Sequence, residues 1–283
     1  HLDSAADYGN EAEVGDGISA ALNEGLCKRD DLWITSKLWN TDHRPEHVAV
    51  GCERSLNDLK LDVLDLYMIH FPISLKHVPH KERYPSGWLF DENTLEMQID
   101  PVPIYETWAA MEELVSSGKV KNIGICNFTT GMMHDLLSYA KIPPAALQIE
   151  SHPYLTQNRL VRLCQDRGIA VTAFSPLAAL SYIPMNMADE GESVLTELVI
   201  KSVAERVART PAQVVLRWAV QRGTTVIPKS SNSNRMRENL QLFDFDLTDN
   251  EMAAISALNQ NHRFNDPGDF CETEFGKFYP IYD

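Results

Sequence analysis

Residues 33–70 have the sequence WITSKLWNTDHRPEHVAVGCERSLNDLKLDVLDLYMIH, which decides the fold class. Trp33–Leu38 and Leu64–His70 are short apolar runs with the length and composition of buried strands. Between them, Pro45 stands at a first-turn position, and apolar residues recur at spacings of three and four over Val48–Leu59. The stretch therefore predicts two parallel strands joined by a helix.

The same alternation continues along the rest of the chain. Pro103, at a first-turn position, and Gly118 bracket a segment with helical spacing, while Thr210 and Thr248 begin capping boxes that predict two more helices. The unit recurs about every 30 residues, the size of a βα repeat. The other candidate strands are Leu2–Ser4, Val120–Cys126, Ala146–Glu150, Ala170–Ser175 and Thr225–Pro228.

Two α/β architectures fit this alternation, an open doubly wound sheet and a closed (β/α)8 TIM-type barrel. A doubly wound dinucleotide domain carries G-x-G-x-x-G after an early strand, and the sequence lacks that motif. The barrel is therefore favoured, and because no linker interrupts the repeats we expect residues 1–283 to form a single domain. In a barrel, functional residues collect at the C-terminal ends of the strands.

The composition bears on partners and compartment. A formal net charge of −15 and a pI near 5 oppose binding to nucleic acid. No apolar run approaches the roughly 20 residues that span a bilayer, so no membrane interaction is expected. The five cysteines are scattered without C-x-x-C spacing, which argues against disulfides and a metal site and favours the cytoplasm.

Against this acidic background, Lys229, Arg235 and Arg237 form a local basic group. Such a group can hold a small anion, and the alternative is a solvated helix face. The residues by themselves leave both interpretations open.

Polar residues recur where the predicted strands end. Asp3 and then Tyr8 follow the first strand, Lys37 lies near the end of the second, and His70 ends the third. Lys37 is flanked by apolar residues, and burial of its ammonium without a partner is costly, so a carboxylate must lie nearby. Asp3 is the obvious candidate. Later strands have Asn127, Gln148, Ser175 and Lys229 at or near their ends.

The motifs at these positions resemble those of the aldo-keto reductases. They are HLDSAADYGNE (residues 1–11), SKLW (36–39), DLYMIHFP (65–72), GICNF (124–128) and IPKS (227–230). The resemblance covers nearly the whole chain, with the motifs in the family's order. It implies an enzyme that reduces carbonyl compounds with a catalytic tetrad of Asp3, Tyr8, Lys37 and His70.

Physical chemistry supports the same roles. Reduction of a carbonyl needs a proton at its oxygen, and a phenol of pKa about 10 is a reluctant acid at neutral pH. A nearby Lys37 ammonium would lower the pKa of Tyr8, and Asp3 would keep Lys37 charged and in place. A neutral His70 could donate a hydrogen bond to the substrate oxygen.

The resemblance also implies an extended NADPH (NADP⁺) cofactor. Asn127 and Gln148 would hold the nicotinamide amide, and Phe174 would stack on the ring, where the family more often has Tyr. Cys126 stands where the family more often has Ser, and a thiol is a weaker hydrogen-bond donor. The implied cofactor residues are Cys126, Asn127, Gln148, Phe174, Ser175 and Leu177, followed by Lys229, Ser230 and Arg235 at the 2′-phosphate and Glu238 and Asn239 at the adenine.

The segment Pro72–Val102 is long for a βα connection and follows His70, so we expect it to cover the substrate pocket. With Arg263–Pro267 it resembles xylose reductases, and Phe71 and Asn265 are candidate contacts to a sugar. Asn265 could equally be a turn residue before Asp-Pro. Other segments resemble plant reductases for aldose 6-phosphates, so the identity of the sugar stays open.

The first strand of the chain resembles the family's second strand. The resemblance therefore predicts that the N-terminal hairpin and the first βα unit are missing from this sequence, through truncation or because a partner chain completes the sheet. We expect a monomer or a homodimer. A different class of function also fits the family, a cofactor-sensing regulatory subunit like those of potassium channels, but the intact tetrad favours an enzyme.

Overall fold

The computed structural model describes residues 1–91, 93 and 96–282, in which strands and helices alternate as the sequence predicts. None of the helices in these ranges combines the length and the apolar character that a membrane-spanning segment needs. The strands are β1 (Leu2–Asp3), β2 (Ile34–Leu38), β3 (Leu66–Ile69), β4 (Ile123–Cys126), β5 (Ala146–Glu150), β6 (Ala170–Phe174) and β7 (Thr225–Val226). The α-helices are α1 (Glu11–Asn23), α2 (Pro45–Leu59), α3 (Ile104–Ser116), α4 (Thr130–Tyr139), α5 (Asn158–Asp166), α6 (Leu198–Val207), α7 (Pro211–Gln221), α8 (Ser233–Leu240), α9 (Asp249–Ser256) and α10 (Pro267–Phe275).

The strands of the sheet follow one another in chain order, and the pairs with a described register are parallel. A doubly wound sheet reverses its strand order part-way, so this order excludes that alternative and agrees with a βα barrel. All the predicted strands are present, but β3 and β4 are shorter than Leu64–His70 and Val120–Cys126. Leu64 and Val120 form only an isolated bridge, because ladder pairing begins further along both strands.

The strand register places the predicted catalytic residues on one face of the sheet. Asp3 lies opposite Thr35, and Lys37 lies opposite Met68. Side chains alternate between the two faces along a strand, so residues two apart share a face. Asp3 and Lys37 therefore point to the same side, and His70, two residues beyond Met68, extends β3 on that side.

The chain contains two compact units. The first comprises His1–Leu147 and the residues from Pro267 onward, and the second comprises Gln148–Asp266. In the first unit, α2 buries the apolar face that the sequence predicts over Val48–Leu59. In the second unit, the indole of Trp218 is fully buried in the apolar core.

The helix ends agree with most of the local sequence signals. Pro45 is the first residue of α2, and the capping boxes at Thr210 and Thr248 are both formed. Gly118, with φ of 75°, follows α3 in the left-handed region. The first-turn position predicted for Pro103 is wrong, because its ψ of 136° is extended and places it just before the helix.

Two glycines of α1 offer a matched test of how α1 packs on α2. A Cβ on Gly15 would lie 2.3 Å from the carbonyl oxygen of Asp58 in α2, whereas a Cβ on Gly17 meets nothing within 4 Å. Gly15→Ala should therefore lower the free energy of unfolding by roughly 1–3 kcal/mol. Gly17→Ala should raise it by about 0.5–1 kcal/mol, since alanine is the better helix former. Denaturant titration of both variants checks this, and equal effects would contradict the close approach.

Candidate active site

Lys37 is the buried centre of the site. Its side chain is fully inaccessible, and its Nζ donates to the carboxylate of Asp3, to the carbonyl oxygen of Ser4 at 2.8 Å and to the hydroxyl of Tyr8 at 3.2 Å. The carboxylate partner that burial of the ammonium requires is therefore Asp3, as predicted. These contacts satisfy all three N–H groups of Lys37.

Tyr8 reaches Lys37 because the chain turns sharply after β1. Residues Ala6–Tyr8 form one 3₁₀ turn, in which the Tyr8 N–H donates to the carbonyl oxygen of Ala5 at 3.1 Å. Gly9 ends the turn with φ of 67°, a conformation that glycine adopts without strain. Half of the Tyr8 side chain is exposed, so its ring is accessible while its hydroxyl contacts the buried lysine.

Burial and charge together set the ionisation of this pair. Burial lowers the pKa of Lys37, but Asp3 and then Tyr8 raise it by more, so the ammonium stays charged. Burial raises the pKa of Tyr8, and Lys37 lowers it without cancelling that effect. The predicted direction of the lysine's influence is thus correct, but the prediction of a lowered pKa for Tyr8 is wrong. Desolvation of the hydroxyl beside a buried lysine, which a sequence pattern does not show, outweighs the lysine's charge.

His70 lies directly beside Tyr8. Their ring centroids are 5.8 Å apart in an edge-to-face arrangement, and the Nδ1 of His70 is buried without a hydrogen-bond partner in the described part of the chain. Burial, and then Lys37, lower the pKa of His70 well below its ordinary value. The imidazole is therefore neutral, as predicted, and one of its nitrogens is a hydrogen-bond donor.

An aromatic cluster surrounds His70. Trp39 contacts the His70 ring edge-on at 5.3 Å between centroids, and Phe71 stacks on it at 5.1 Å. Trp88, from the long connection, packs against both Trp39 and Phe71, and the indole nitrogen of Trp39 donates to the carbonyl oxygen of Gly87 at 2.9 Å. The predicted covering segment Pro72–Val102 thus packs its Trp88 against the aromatic residues around His70. Its residues 92, 94 and 95 lie outside the described residues.

Asn127, the first residue after β4, is tied to this group. Its φ of 63° is left-handed, its Nδ2 donates to the carbonyl oxygen of His70 at 2.9 Å, and its Oδ1 accepts from the hydroxyl of Tyr282 at 3.0 Å. Asparagine is among the non-glycine residues that adopt this region most readily. Each end of the amide keeps capacity for one more hydrogen bond, which suits a carboxamide ligand.

Cys126 behaves differently from its neighbour. Its thiol is buried against Met68, with 3.9 Å between the two sulfur atoms, and burial raises the pKa of the thiol well above its ordinary value. In this arrangement the thiol is directed at the Met68 sulfur. The contact of Cys126 with the cofactor stays a prediction.

The second unit contains the remaining predicted cofactor residues at the ends of its strands. Gln148 in β5 is buried, while Phe174 at the end of β6 is partly exposed, as a stacking surface must be. Ser175 has a left-handed φ of 45°, and its hydroxyl is hydrogen-bonded to that of Tyr182 at 2.7 Å. Leu177 packs against the core of this unit.

The predicted phosphate-binding residues surround the start of α8. Asn232 caps this helix by accepting from the N–H groups of Asn234 and Arg235, at 3.0 and 3.1 Å. Lys229 and Arg235 are exposed, and neither forms an ion pair within residues 1–91, 93 and 96–282. Exposed cations beside a helix N-terminus suit a phosphate. Glu238 and Asn239 are partly buried on the same helix.

Comparison with known proteins agrees with this site. The Aldo/keto reductase family model matches residues 1–260. The chain belongs to this family. A probable NAD(P)H-dependent D-xylose reductase, xyl1, of Arthroderma otae is 49% identical and aligns with 99% of this chain and 84% of its own length. The NADPH-dependent D-xylose reductase of Meyerozyma guilliermondii is also 49% identical, over 95% of this chain and 85% of its own length.

A solved structure supports the same assignment. The aldose reductase of Schistosoma japonicum has a TM-score of 0.85 and 40% identity, covering 100% of this chain and 86% of that one. The predicted family, the class of enzyme and the α/β barrel fold are thereby confirmed.

Asp7 is a titratable residue next to the candidate site that the sequence analysis did not single out. It directly precedes Tyr8, is partly buried, and burial raises its pKa from 3.8 to about 7. A titratable group with a strongly shifted pKa beside a catalytic residue is a candidate for function. Its adjacency to Tyr8 in the motif was the available signal.

The shifted pKa of Asp7 predicts a pH-dependent stability. Between pH 3.8 and about 7 the unfolded chain loses the proton while the folded chain keeps it, so stability should fall as pH rises through this window and level off above it. Asp7→Asn should remove up to about 4 kcal/mol of that change. Unfolding free energies from pH 4 to 8 test this, with Glu13→Gln, an exposed acid of α1, as control. A constant difference between wild type and Asp7→Asn would refute the shift.

Proposed function

We propose that this chain reduces the aldehyde of an aldose, a xylose-like sugar, to an alcohol with NADPH. The observation that carries the proposal is the buried Lys37 ammonium, which contacts both the Asp3 carboxylate and the Tyr8 hydroxyl at 3.2 Å. The D-xylose reductases at 49% identity support the choice of substrate class.

Tyr8 is the proton donor in this proposal. Its raised pKa keeps the phenol protonated at neutral pH, so the proton is present when the substrate binds. As the proton moves to the carbonyl oxygen, the negative charge that develops on Tyr8 lies 3.2 Å from the Lys37 ammonium. Asp3 keeps that ammonium charged and fixed, and the bound NADPH supplies the hydride. Lys37 thus stabilises the negative charge that develops on Tyr8 more than it stabilises the neutral phenol. Stabilisation that is stronger in the transition state than in the ground state accelerates the reaction.

Neutral His70 polarises the carbonyl in this scheme. A neutral imidazole donates a hydrogen bond to the substrate oxygen without competing with Tyr8 for the proton, because its pKa is well below the working pH. Phe71 stacks on His70 and restricts its ring, and it is a proposed contact to the sugar. Asn265 is the proposed partner of a sugar hydroxyl.

The cofactor residues fit the chemistry of NADPH. Asn127 and Gln148 would hold the carboxamide, and the partly exposed Phe174 would stack on the ring. Cys126, Ser175 and Leu177 are the other residues proposed for the nicotinamide end. Support comes from the spare hydrogen-bonding capacity of Asn127 and from the cations Lys229 and Arg235 beside the start of α8. The residues proposed for the adenosine end are Lys229, Ser230, Arg235, Glu238 and Asn239.

We also infer where and in what form the enzyme works. All five cysteines are unpaired, which suits the reducing cytoplasm. We further infer that residues 1–283 form one domain, because the family model matches residues 1–260 as a single stretch. The active form is a monomer or a homodimer.

The substitution Tyr8→Phe tests the role of the phenol. It should lower kcat for xylose by roughly 10²–10⁴-fold, because the proton donor is lost while the ring remains. Fluorescence titration should show unchanged NADPH binding, and NADH should bind both proteins more weakly because it lacks the 2′-phosphate.

The control is Tyr105→Phe, since Tyr105 is as exposed as Tyr8 but lies on α3 and contacts Glu106. Tyr105→Phe should retain full activity. Persistent turnover by Tyr8→Phe, or loss of its NADPH binding, is incompatible with the proposed role.

A further inference from the structure

Glu150, the last residue of β5, is a fully buried carboxylate. Its Oε1 accepts from His152 Nε2 at 2.8 Å and from the backbone N–H of Phe264 at 2.9 Å. Its Oε2 accepts from the backbone N–H of Asn265 at 2.9 Å. One side chain therefore fixes two consecutive backbone groups of a segment more than a hundred residues further along the chain.

These contacts are strong for a physical reason. A buried carboxylate costs free energy unless donors compensate it, and hydrogen bonds to a charged oxygen are about twice as strong as those between neutral groups. The three N–H donors offset the cost of burying the Glu150 carboxylate. The position of the 264–265 backbone is therefore coupled to the position of β5. If the segment shifted, the Glu150 carboxylate would stay buried but would lose these hydrogen-bond donors.

The ring of Phe264 holds the same segment from another side. It is buried, stacks on Tyr182 at 5.5 Å between centroids and meets the edge of the His262 ring at 4.4 Å. His152, the partner of Glu150, packs against it at 5.5 Å. The backbone leading into Asn265 is thus fixed by both polar and aromatic contacts.

The side chain of Asn265 contrasts with this fixed backbone. Its Oδ1 is buried and has no hydrogen-bond partner among the residues that the structure describes. A buried carbonyl without a hydrogen-bond donor is destabilising, and a hydroxyl donor would remove that cost. Asn265 thus combines a fixed backbone with an amide oxygen that lacks a donor. This arrangement is expected of a residue that accepts a hydrogen bond from a ligand hydroxyl.

We propose that Glu150 is a positioning residue for substrate binding, which holds Asn265 so that its amide can accept a hydrogen bond from a sugar hydroxyl. This inference rests on the proposed function and adds to it. Glu150 is fully buried, and it acts through the backbone of Phe264 and Asn265. His152 supports it by donating to the same carboxylate.

Glu150→Gln is the direct test. Glutamine keeps the shape but turns one acceptor oxygen into an NH₂ group, which then faces the N–H of either Phe264 or Asn265. The KM for xylose should rise about tenfold, the loss of one hydrogen bond to substrate, while kcat and the Kd for NADPH should stay within about twofold. Asn265→Ala should raise KM to a similar extent.

A double-mutant cycle separates positioning from simple support of the fold. Once the Asn265 side chain is removed, its position no longer matters, so Glu150→Gln/Asn265→Ala should have the same KM as Asn265→Ala alone. Additive increases in KM would overturn the proposal. So would an unchanged KM in Asn265→Ala.

Two further variants keep the test decisive. Tyr154→Phe removes the hydrogen bond from Tyr154 to Glu197 in the same unit, without touching the 264–265 backbone, and should leave KM unchanged. If Glu150→Gln does not fold, Phe264→Leu loosens the segment independently of charge, and its rise in KM should likewise vanish in the Asn265→Ala background. Failure of the wild-type chain to reduce xylose would instead overturn the proposed function.

Discussion

The contact between the Lys37 ammonium and the Asp3 carboxylate is the interaction on which the active site depends. A lysine with no accessible surface is tolerated only because its three N–H groups meet Asp3, the Ser4 carbonyl and the Tyr8 hydroxyl. That arrangement places a permanent positive charge beside the phenol. It also links the end of β1, the turn after it and β2 into one rigid group.

The fold supplies this group through strand register. Asp3 and Lys37 share a face because β1 pairs with β2 at Asp3 and Thr35, and His70 joins them because β3 continues the same parallel order. The covering segment then packs its aromatic side chains beside His70. The remaining polar contacts, such as Tyr282 with Asn127, connect distant parts of the first unit to the same strand ends.

The sequence predicted the strands and the Lys37–Asp3 pair, because apolar periodicity and the cost of a buried ammonium follow from the residues themselves. The catalytic roles of Asp3, Tyr8, Lys37 and His70 came from the family resemblance and stay a prediction. The sequence did not predict the net rise in the pKa of Tyr8, which depends on how completely the hydroxyl is desolvated. Tyr282 and Glu150 were missed for another reason. Tyr282 contacts Asn127, and Glu150 contacts the backbone N–H groups of Phe264 and Asn265. Each of these contacts joins residues more than a hundred positions apart, so it leaves no local pattern in the sequence.

The most direct measurement of the central claim is the pKa of Tyr8, followed by NMR of ¹³C-labelled tyrosine and assigned with Tyr8→Phe. It is compared between the wild-type chain and Asp3→Asn/Lys37→Met, which removes both charges without leaving either one buried alone. Lys37 lowers the pKa of Tyr8 by more than Asp3 raises it, so the account predicts a higher pKa in the double variant. An unchanged or lower pKa would contradict it.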